Sequence, residues 1–182
     1  MAAGVPLLNR TVVQNAFVVT DIEAAMQRWT RVFGVGPWFY NPDVSSLTDP
    51  RYRGEPTGLR FAGALAQAGS VQIELIQPLN EVPSCYRDLY PVGTEGPHHI
   101  AIFAADFATE VARYEAEGFA IAFSGANRDM RFAYLDTSAV LGVMVEILED
   151  VPSVREAFGR IKAAGDGWDG TDPVRASAQR PT

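Results

Sequence analysis

Two glutamates, a histidine and a glutamine occupy positions where the surrounding residues ask for an apolar neighbour. In the run Val71 to Ile76 the carboxylate of Glu74 falls on the face opposite Ile73 and Leu75, because side chains alternate along a strand. In the run Val143 to Leu148 the neighbours of Glu146 are apolar on both faces. A carboxylate in such a setting is costly unless it is exposed, neutralised or bound to a cation. His99 stands at the start of an apolar run that extends to Phe103, and Gln14 near the start of the run Val12 to Val19. The two correspond, since Gln14 lies seven residues before Asp21 and His99 seven residues before Asp106. Each half of the chain thus supplies one nitrogen- or oxygen-bearing residue in its first strand and one glutamate in its last. The four residues Gln14, Glu74, His99 and Glu146 suit a single divalent ion, and imidazole with carboxylate and amide oxygens favours Zn, Ni, Co or Mn over soft-metal chemistry.

The elements that must position these groups follow from periodicity. Val12 to Val19 predicts a strand, and Asp21 then caps a helix whose apolar positions are Ile22, Ala25, Met26, Trp29 and Val32 or Phe33, ended by Gly34 and Gly36-Pro37. Asn41 to Gly58, with three prolines, reads as one long loop, and Leu59 to Leu65 and Val71 to Ile76 as two strands joined across Gln67 to Ser70. The order then repeats. His98 to Phe103 is a strand, Asp106 caps a helix ended by Gly118, and Phe119 to Phe123, Met130 to Leu135 and Val140 to Leu148 are strands. The expected architecture is α+β, with paired β-α-β-β-β modules over about residues 10–80 and 96–150 forming one domain within 1–150. Residues 151–182 are expected to form a helix over Pro152 to Ala164 and then a frayed tail from Gly165.

Composition narrows the partners. The 182 residues are 47% apolar and carry a net charge of −7, enough core for a stable fold and no basic footprint for nucleic acid or an anionic membrane. A single cysteine, Cys85, and a start without a long apolar segment point to a cytoplasmic protein. No apolar stretch approaches the ~20 residues of a membrane span.

Over residues 12 to 150 the sequence resembles the vicinal oxygen chelate superfamily, which includes glyoxalase I, methylmalonyl-CoA epimerase, extradiol dioxygenases and bleomycin-resistance proteins. The carriers are the runs Gln14 to Asp21, Phe33 to Pro37, Val71 to Leu79, His98 to Ile102 and Gly142 to Ile147. The resemblance implies a cup-shaped mixed sheet closed around one metal, with the four residues above at the ligand positions. The Pro78-Leu79-Asn80 step and the doubled His98-His99 look closest to the CoA-thioester epimerase branch. Gln14 and Glu74 depart from it, because that branch usually has His and Gln there, and the set Gln, Glu, His, Glu looks like that of the human-type glyoxalase I. The function implied is a metal-dependent epimerase or isomerase moving a proton next to a carbonyl or thioester, with Glu146 as the first candidate base and Glu74 the second. A lactoylglutathione-lyase-like isomerase and a nonenzymatic small-molecule binder are the alternatives. An extradiol dioxygenase is disfavoured, since the only second histidine, His98, is expected on the opposite strand face from His99.

A small-molecule substrate such as an acyl-CoA or another thioester would need local positive charge. Arg51, Arg53, Arg60, Arg128 and Arg131 are candidates to supply it, and Trp38, Tyr40 and Tyr52 are candidates for the cup wall. A homodimer is expected on the superfamily's habit of building cups across subunits.

Overall fold

Asp21 and Asp106 each begin a helix by accepting a hydrogen bond from a first-turn amide, Ala24 N at 2.9 Å and Thr109 N at 3.0 Å. These caps set the same start signal in both halves of the chain, seen here in a computed structural model that describes residues 10–177. The first half runs β1 (Gln14–Val18), α1 (Ile22–Phe33), β2 (Trp38–Asn41), β3 (Thr48–Tyr52), β4 (Glu55–Pro56), β5 (Phe61–Ala68) and β6 (Val71–Pro78). After α2 (Cys85–Leu89) the second half runs β7 (Gly96–Ala104), α3 (Phe107–Ala116), β8 (Ile121–Asn127), β9 (Met130–Leu135), α4 (Ser138–Leu141) and β10 (Met144–Glu149). The described chain ends with α5 (Pro152–Gly165) and β11 (Val174–Ala176).

All eleven strands of the described residues lie in one mixed sheet, in the order β11-β2-β5-β6-β1-β7-β10-β9-β8-β3-β4. In each half the first strand pairs parallel with the last, β1 with β6 and β7 with β10, and the remaining pairs are antiparallel. The expected β-α-β-β-β duplication is therefore present, and β1 meets β7 antiparallel at the seam between its copies. Helices α1 and α3 cover the outer face. Ile22, Ala25 and Met26 pack with Trp38, Ala64, Ile73 and Leu75, while Val111 packs with Ile102, Ala133, Leu135 and Ile147. The inner face forms a separate core containing Ala16, Phe61, Ala101, Phe123, Phe132, Tyr134 and Met144. Outside the bulges, strand alternation assigns each side chain to one face or the other.

Four expectations change. The segment Asn41 to Gly58 is not one loop, because β3 and β4 form a hairpin and β3 pairs with β8 of the other module. Val140 and Leu141 belong to α4, where they are 70% and 55% exposed, and the strand begins only at Met144 after Gly142 turns at φ 76°. Helix α5 forms as expected, but the chain beyond Gly165 does not fray: the Trp168 ring lies against Gly36, Trp38 N donates to Pro173 O at 2.9 Å, and β11 pairs parallel with β2. Residues 178–182 of the expected tail, and residues 1–9 at the other end, lie outside the described residues. Trp38 and Tyr40 sit on the outer face, with Trp38 Nε1 donating to Thr30 Oγ1 at 3.0 Å, and Phe39 takes the inner position instead. No helix among the described residues is long and apolar enough to cross a membrane.

Candidate metal centre

The four polar residues stand on four consecutive central strands, Glu74 on β6, Gln14 on β1, His99 on β7 and Glu146 on β10. Register places them in two neighbouring rows of the inner face. Glu74 and His99 flank Ala16 in one row, and Gln14 and Glu146 flank Ala101 in the next. Both alanines are buried, and their short side chains leave the space into which the longer ones converge. Glu146 is 5% exposed and lies on a strand with neighbours on both sides, so it has no edge from which to reach water.

One ligand atom from each of Glu74, His99 and Glu146 lies within 4.8 Å of the others. His99 Nε2 is 3.4 Å from Glu74 Oε2 and 3.2 Å from Glu146 Oε2, but neither approach is aligned as a hydrogen bond, and the nitrogen is a buried polar atom without a partner. Gln14 lines the same cavity. Its Nε2 donates to Gln72 Oε1 at 2.7 Å, which leaves Gln14 Oε1 buried and unpartnered. Unsatisfied buried polar atoms are uncommon in folded proteins; Gln14 Oε1, and His99 Nε2 once deprotonated, are the two here that a bound cation would satisfy.

Electrostatics carries the same message. Burial alone would lower the His99 pKa, but Glu146 and Glu74 outweigh it and raise it to about 9. Burial raises Glu146 above the usual carboxylate range, and the neighbouring imidazole offsets this only in part. A cavity that holds two acids beside one imidazole favours a positive charge between them, whether a proton or a metal ion.

His98 departs from its expected face. On the β1–β7 seam Ala16 is opposite His99 and Phe17 is opposite Pro97, so His98 is an extra residue in a bulge, and strand alternation fails there. Its ring turns to the inner face, with Nδ1 2.9 Å from His99 Nδ1 and Nε2 3.2 Å from the Cys85 carbonyl. A carbonyl only accepts, so Nε2 of His98 carries the hydrogen and Nδ1 is bare; His99 Nδ1 must then donate, which turns the lone pair of a neutral His99 onto Nε2, the atom facing the carboxylates. Burial, aided by the nearby His99, lowers the His98 pKa to about 3 and keeps that ring neutral. Both of its nitrogens are engaged, so the case against an extradiol dioxygenase rests on this hydrogen bonding rather than on strand parity.

Above the cluster the inner face encloses a cavity of about 240 Å³. Its walls include Phe39, Phe61, Phe123, Phe132 and Tyr134, and its roof comes from α5. None of the arginines considered as substrate contacts lines it, and four of the five are paired on the surface: Arg51 with Asp49, Arg53 with Asp88 and Asp136, Arg60 with Asp43, and Arg131 with Glu149. Tyr52 is also outside it, donating to Asp88 Oδ1 at 2.7 Å. Sequence reasoning missed Gln72, although it lies two residues before Glu74 and so on the same face. It missed the inward turn of His98 because the bulge depends on a pairing between distant strands.

The comparisons with known proteins agree with this architecture. No curated protein matches the chain. Among solved structures, a methylmalonyl-CoA epimerase in complex with methylmalonyl-CoA and ammonium superposes with a TM-score of 0.56 at 17% identity, covering 79% of this chain and 96% of that one. The Mycobacterium tuberculosis methylmalonyl-CoA epimerase gives 0.56 at 17%, over 80% and 91%. A single-site variant of the Streptomyces coelicolor enzyme in complex with 2-nitronate-propionyl-CoA gives 0.56 at 17%, over 79% and 96%. At these identities the likeness is one of fold. The family profile described as Glyoxalase/Bleomycin resistance protein/Dioxygenase superfamily matches residues 13–134, most of the duplicated sheet, and the chain belongs to that superfamily.

Proposed function

We propose that the protein is a metal-dependent enzyme that moves a proton at the carbon next to a carbonyl or thioester. The observation that supports this best is the convergence of Glu74, His99 and Glu146 within 4.8 Å, with Gln14 Oε1 and His99 Nε2 buried and unpartnered at the floor of an apolar cavity. Gln14 through Oε1, His99 through Nε2, and the carboxylates of Glu74 and Glu146 would hold the ion, and this donor set suits Zn, Ni, Co or Mn. When bound, such an ion supplies a Lewis acid that stabilises negative charge developing on a substrate oxygen.

The chain's own residues then divide the work. Glu146, buried on the central strand β10, is the first candidate to take the proton from the substrate carbon, with Glu74 the second. Glu74 comes from the equivalent strand of the other module and approaches from the opposite side of the seam, so it can return a proton to the second face of a planar intermediate. Two-sided delivery gives epimerisation, and removal and return by one carboxylate gives isomerisation. Gln72 and His98 orient Gln14 and His99, while the aromatic walls keep bulk water from quenching the carbanion-like charge.

The ligands printed for the neighbours, methylmalonyl-CoA and 2-nitronate-propionyl-CoA, favour thioesters as first substrates to test. The Gln, Glu, His, Glu donor set favours the lactoylglutathione-lyase-like alternative, so the glutathione hemithioacetal belongs in the same assay. Purified protein dialysed against Zn, Ni, Co and Mn in turn should retain about one equivalent of metal and exchange solvent deuterium into the α-carbon of its substrate. Glu146→Gln should lower that rate by ~10²–10⁴-fold at saturating metal. Wild-type exchange in this variant would remove Glu146 from the base role, and protein that retains no metal would leave the nonenzymatic binder as the better reading.

A further inference from the structure

Val154, Ala157, Phe158 and Ile161 of α5 all line the cavity, at the i, i+3, i+4, i+7 spacing that marks one face of a helix. The roof is tied down at both ends. Arg155 pairs with both oxygens of Asp150 at 2.6 and 2.7 Å and lies over the Phe103 ring at 3.9 Å, and the Phe158 ring meets Phe103 at 5.0 Å. Beyond the helix, Trp168 lies against Gly36 and β11 pairs with β2. The space beneath this roof, about 240 Å³, is smaller than the ~300–1,000 Å³ of ordinary ligand sites.

Charge restricts the occupant further. Among the described residues no lysine or arginine lines the cavity, and the formally charged side chains of its lining are Glu74 and Glu146, with the His99 imidazole beside them. A divalent ion held by two carboxylates, a neutral imidazole and a neutral amide has a formal sum of zero. A carboxylate that does not itself reach the ion would therefore lose its hydration beside Glu74 and Glu146, with no cationic side chain of the lining to replace it. Of the arginines beside the cavity-lining residues, Arg60 pairs with Asp43 and Arg131 with Glu149 on the surface, while Arg128, next to Asn127, is exposed and outside the lining.

From roof, volume and charge together we infer that the reacting part of the substrate is compact, apolar and uncharged: a small carbonyl compound, or the acyl end of a thioester that carries no carboxylate. The inference rests on the proton-transfer reading and narrows its substrate. It sets this site apart from one built for a dicarboxylic acyl group, whatever carrier extends outside the mouth.

The test is calorimetric titration of the metal-loaded wild-type protein with two small thioesters of equal heavy-atom count, the ethyl thioesters of 2-methylacetoacetate and of methylmalonate. They differ in an acetyl group against a carboxylate. The neutral compound is expected to bind at least about tenfold more tightly. Equal or tighter binding of the anionic one overturns the inference, as does failure of both to bind at millimolar concentration. Deuterium exchange into the bound compound is followed separately. A neutral thioester that binds preferentially but never exchanges supports the substrate class and sinks the proton-transfer reading.

Discussion

Replacing His98 by Phe isolates what a residue outside the ligand set contributes to metal binding. The substitution keeps a ring of similar size against Tyr86 and Tyr134, which lie 4.9 and 5.7 Å from His98 by ring centroid, so no large cavity opens. It removes the acceptor that now sits 2.9 Å from His99 Nδ1 and the donor that meets the Cys85 carbonyl. A buried donor without an acceptor costs about 1–3 kcal/mol. Above pH 9, where the metal-free His99 is neutral, it escapes that cost by carrying its hydrogen on Nε2 instead, which covers the lone pair a metal would need. Metal binding must then restore the disfavoured tautomer, and the expected loss is about 10–100-fold in affinity, or about 1.4–2.8 kcal/mol. Competition against a chromophoric chelator at fixed pH measures it, with the melting temperature of the metal-free variant as the control for folding. His98→Asn, whose Oδ1 can accept where Nδ1 did, should recover most of the loss. Should His98→Phe bind metal within about threefold of wild type while His99→Ala loses it, the tautomer argument fails.

Three further outcomes follow from the same geometry. In the metal-free fold His99 titrates at about 9, above its ordinary 6.5, so its proton stabilises that fold fully below pH 6.5 and the contribution is lost as pH rises through 9. A metal must displace this proton, so apparent affinity should climb about tenfold per pH unit across that window and level off above it; a flat profile would contradict the assignment. Stripping the metal with a chelator should lower the melting temperature by roughly 8–16 °C relative to protein at ~1,000 times the dissociation constant, from ~4 kcal/mol of linkage at 2–4 °C per kcal/mol. A Cβ on Gly36 would fall 2.3 Å from the Trp168 ring, so Gly36→Ala should cost about 1–3 kcal/mol and leave Trp168 more open to acrylamide quenching, while unchanged stability would mean that the tail is held elsewhere.

The parts of this architecture that were legible in the sequence are those with local signatures. Asp21 and Asp106 announce their helices by capping chemistry, and two-residue alternation around Glu74 assigns its face from six residues. The correspondence of Gln14 with His99 needed only a common distance to those caps. What could not be read depends on partners far along the chain. The bulge that turns His98 inward arises where β7 meets β1, some eighty positions earlier in the chain. β11 and the β3–β4 hairpin are short strands that exist because an edge strand is available to pair with them. Val140 and Leu141 look like strand residues by type, yet Thr137 Oγ1 donating to Val143 O at 2.7 Å and the turn at Gly142 hold them in a helical turn facing solvent.

The division between duplicated and unique segments has a functional consequence. Every candidate ligand lies on the four central strands, where the two modules repeat each other and where a register change of one residue would send all the polar groups to the outer face. The unique additions lie at the two rims. The hairpin from the first module extends the second module's edge at β8, and β11, which follows the second module, extends the first module's edge at β2. Each addition covers the module's own edge and leaves a short strand, β11 or β4, as the new one. The same additions shape the cavity, since Leu47 precedes the hairpin and α5 leads to β11. The candidate ligands are therefore fixed by the rigid repeat, and the size and polarity of the cavity above them are set by segments outside it. A substitution in α5 such as Phe158→Ala should accordingly alter which thioesters bind while leaving the stoichiometry of bound metal at one, whereas a change at Ala16 or Ala101 to Leu should fill the space between the ligands and abolish metal binding.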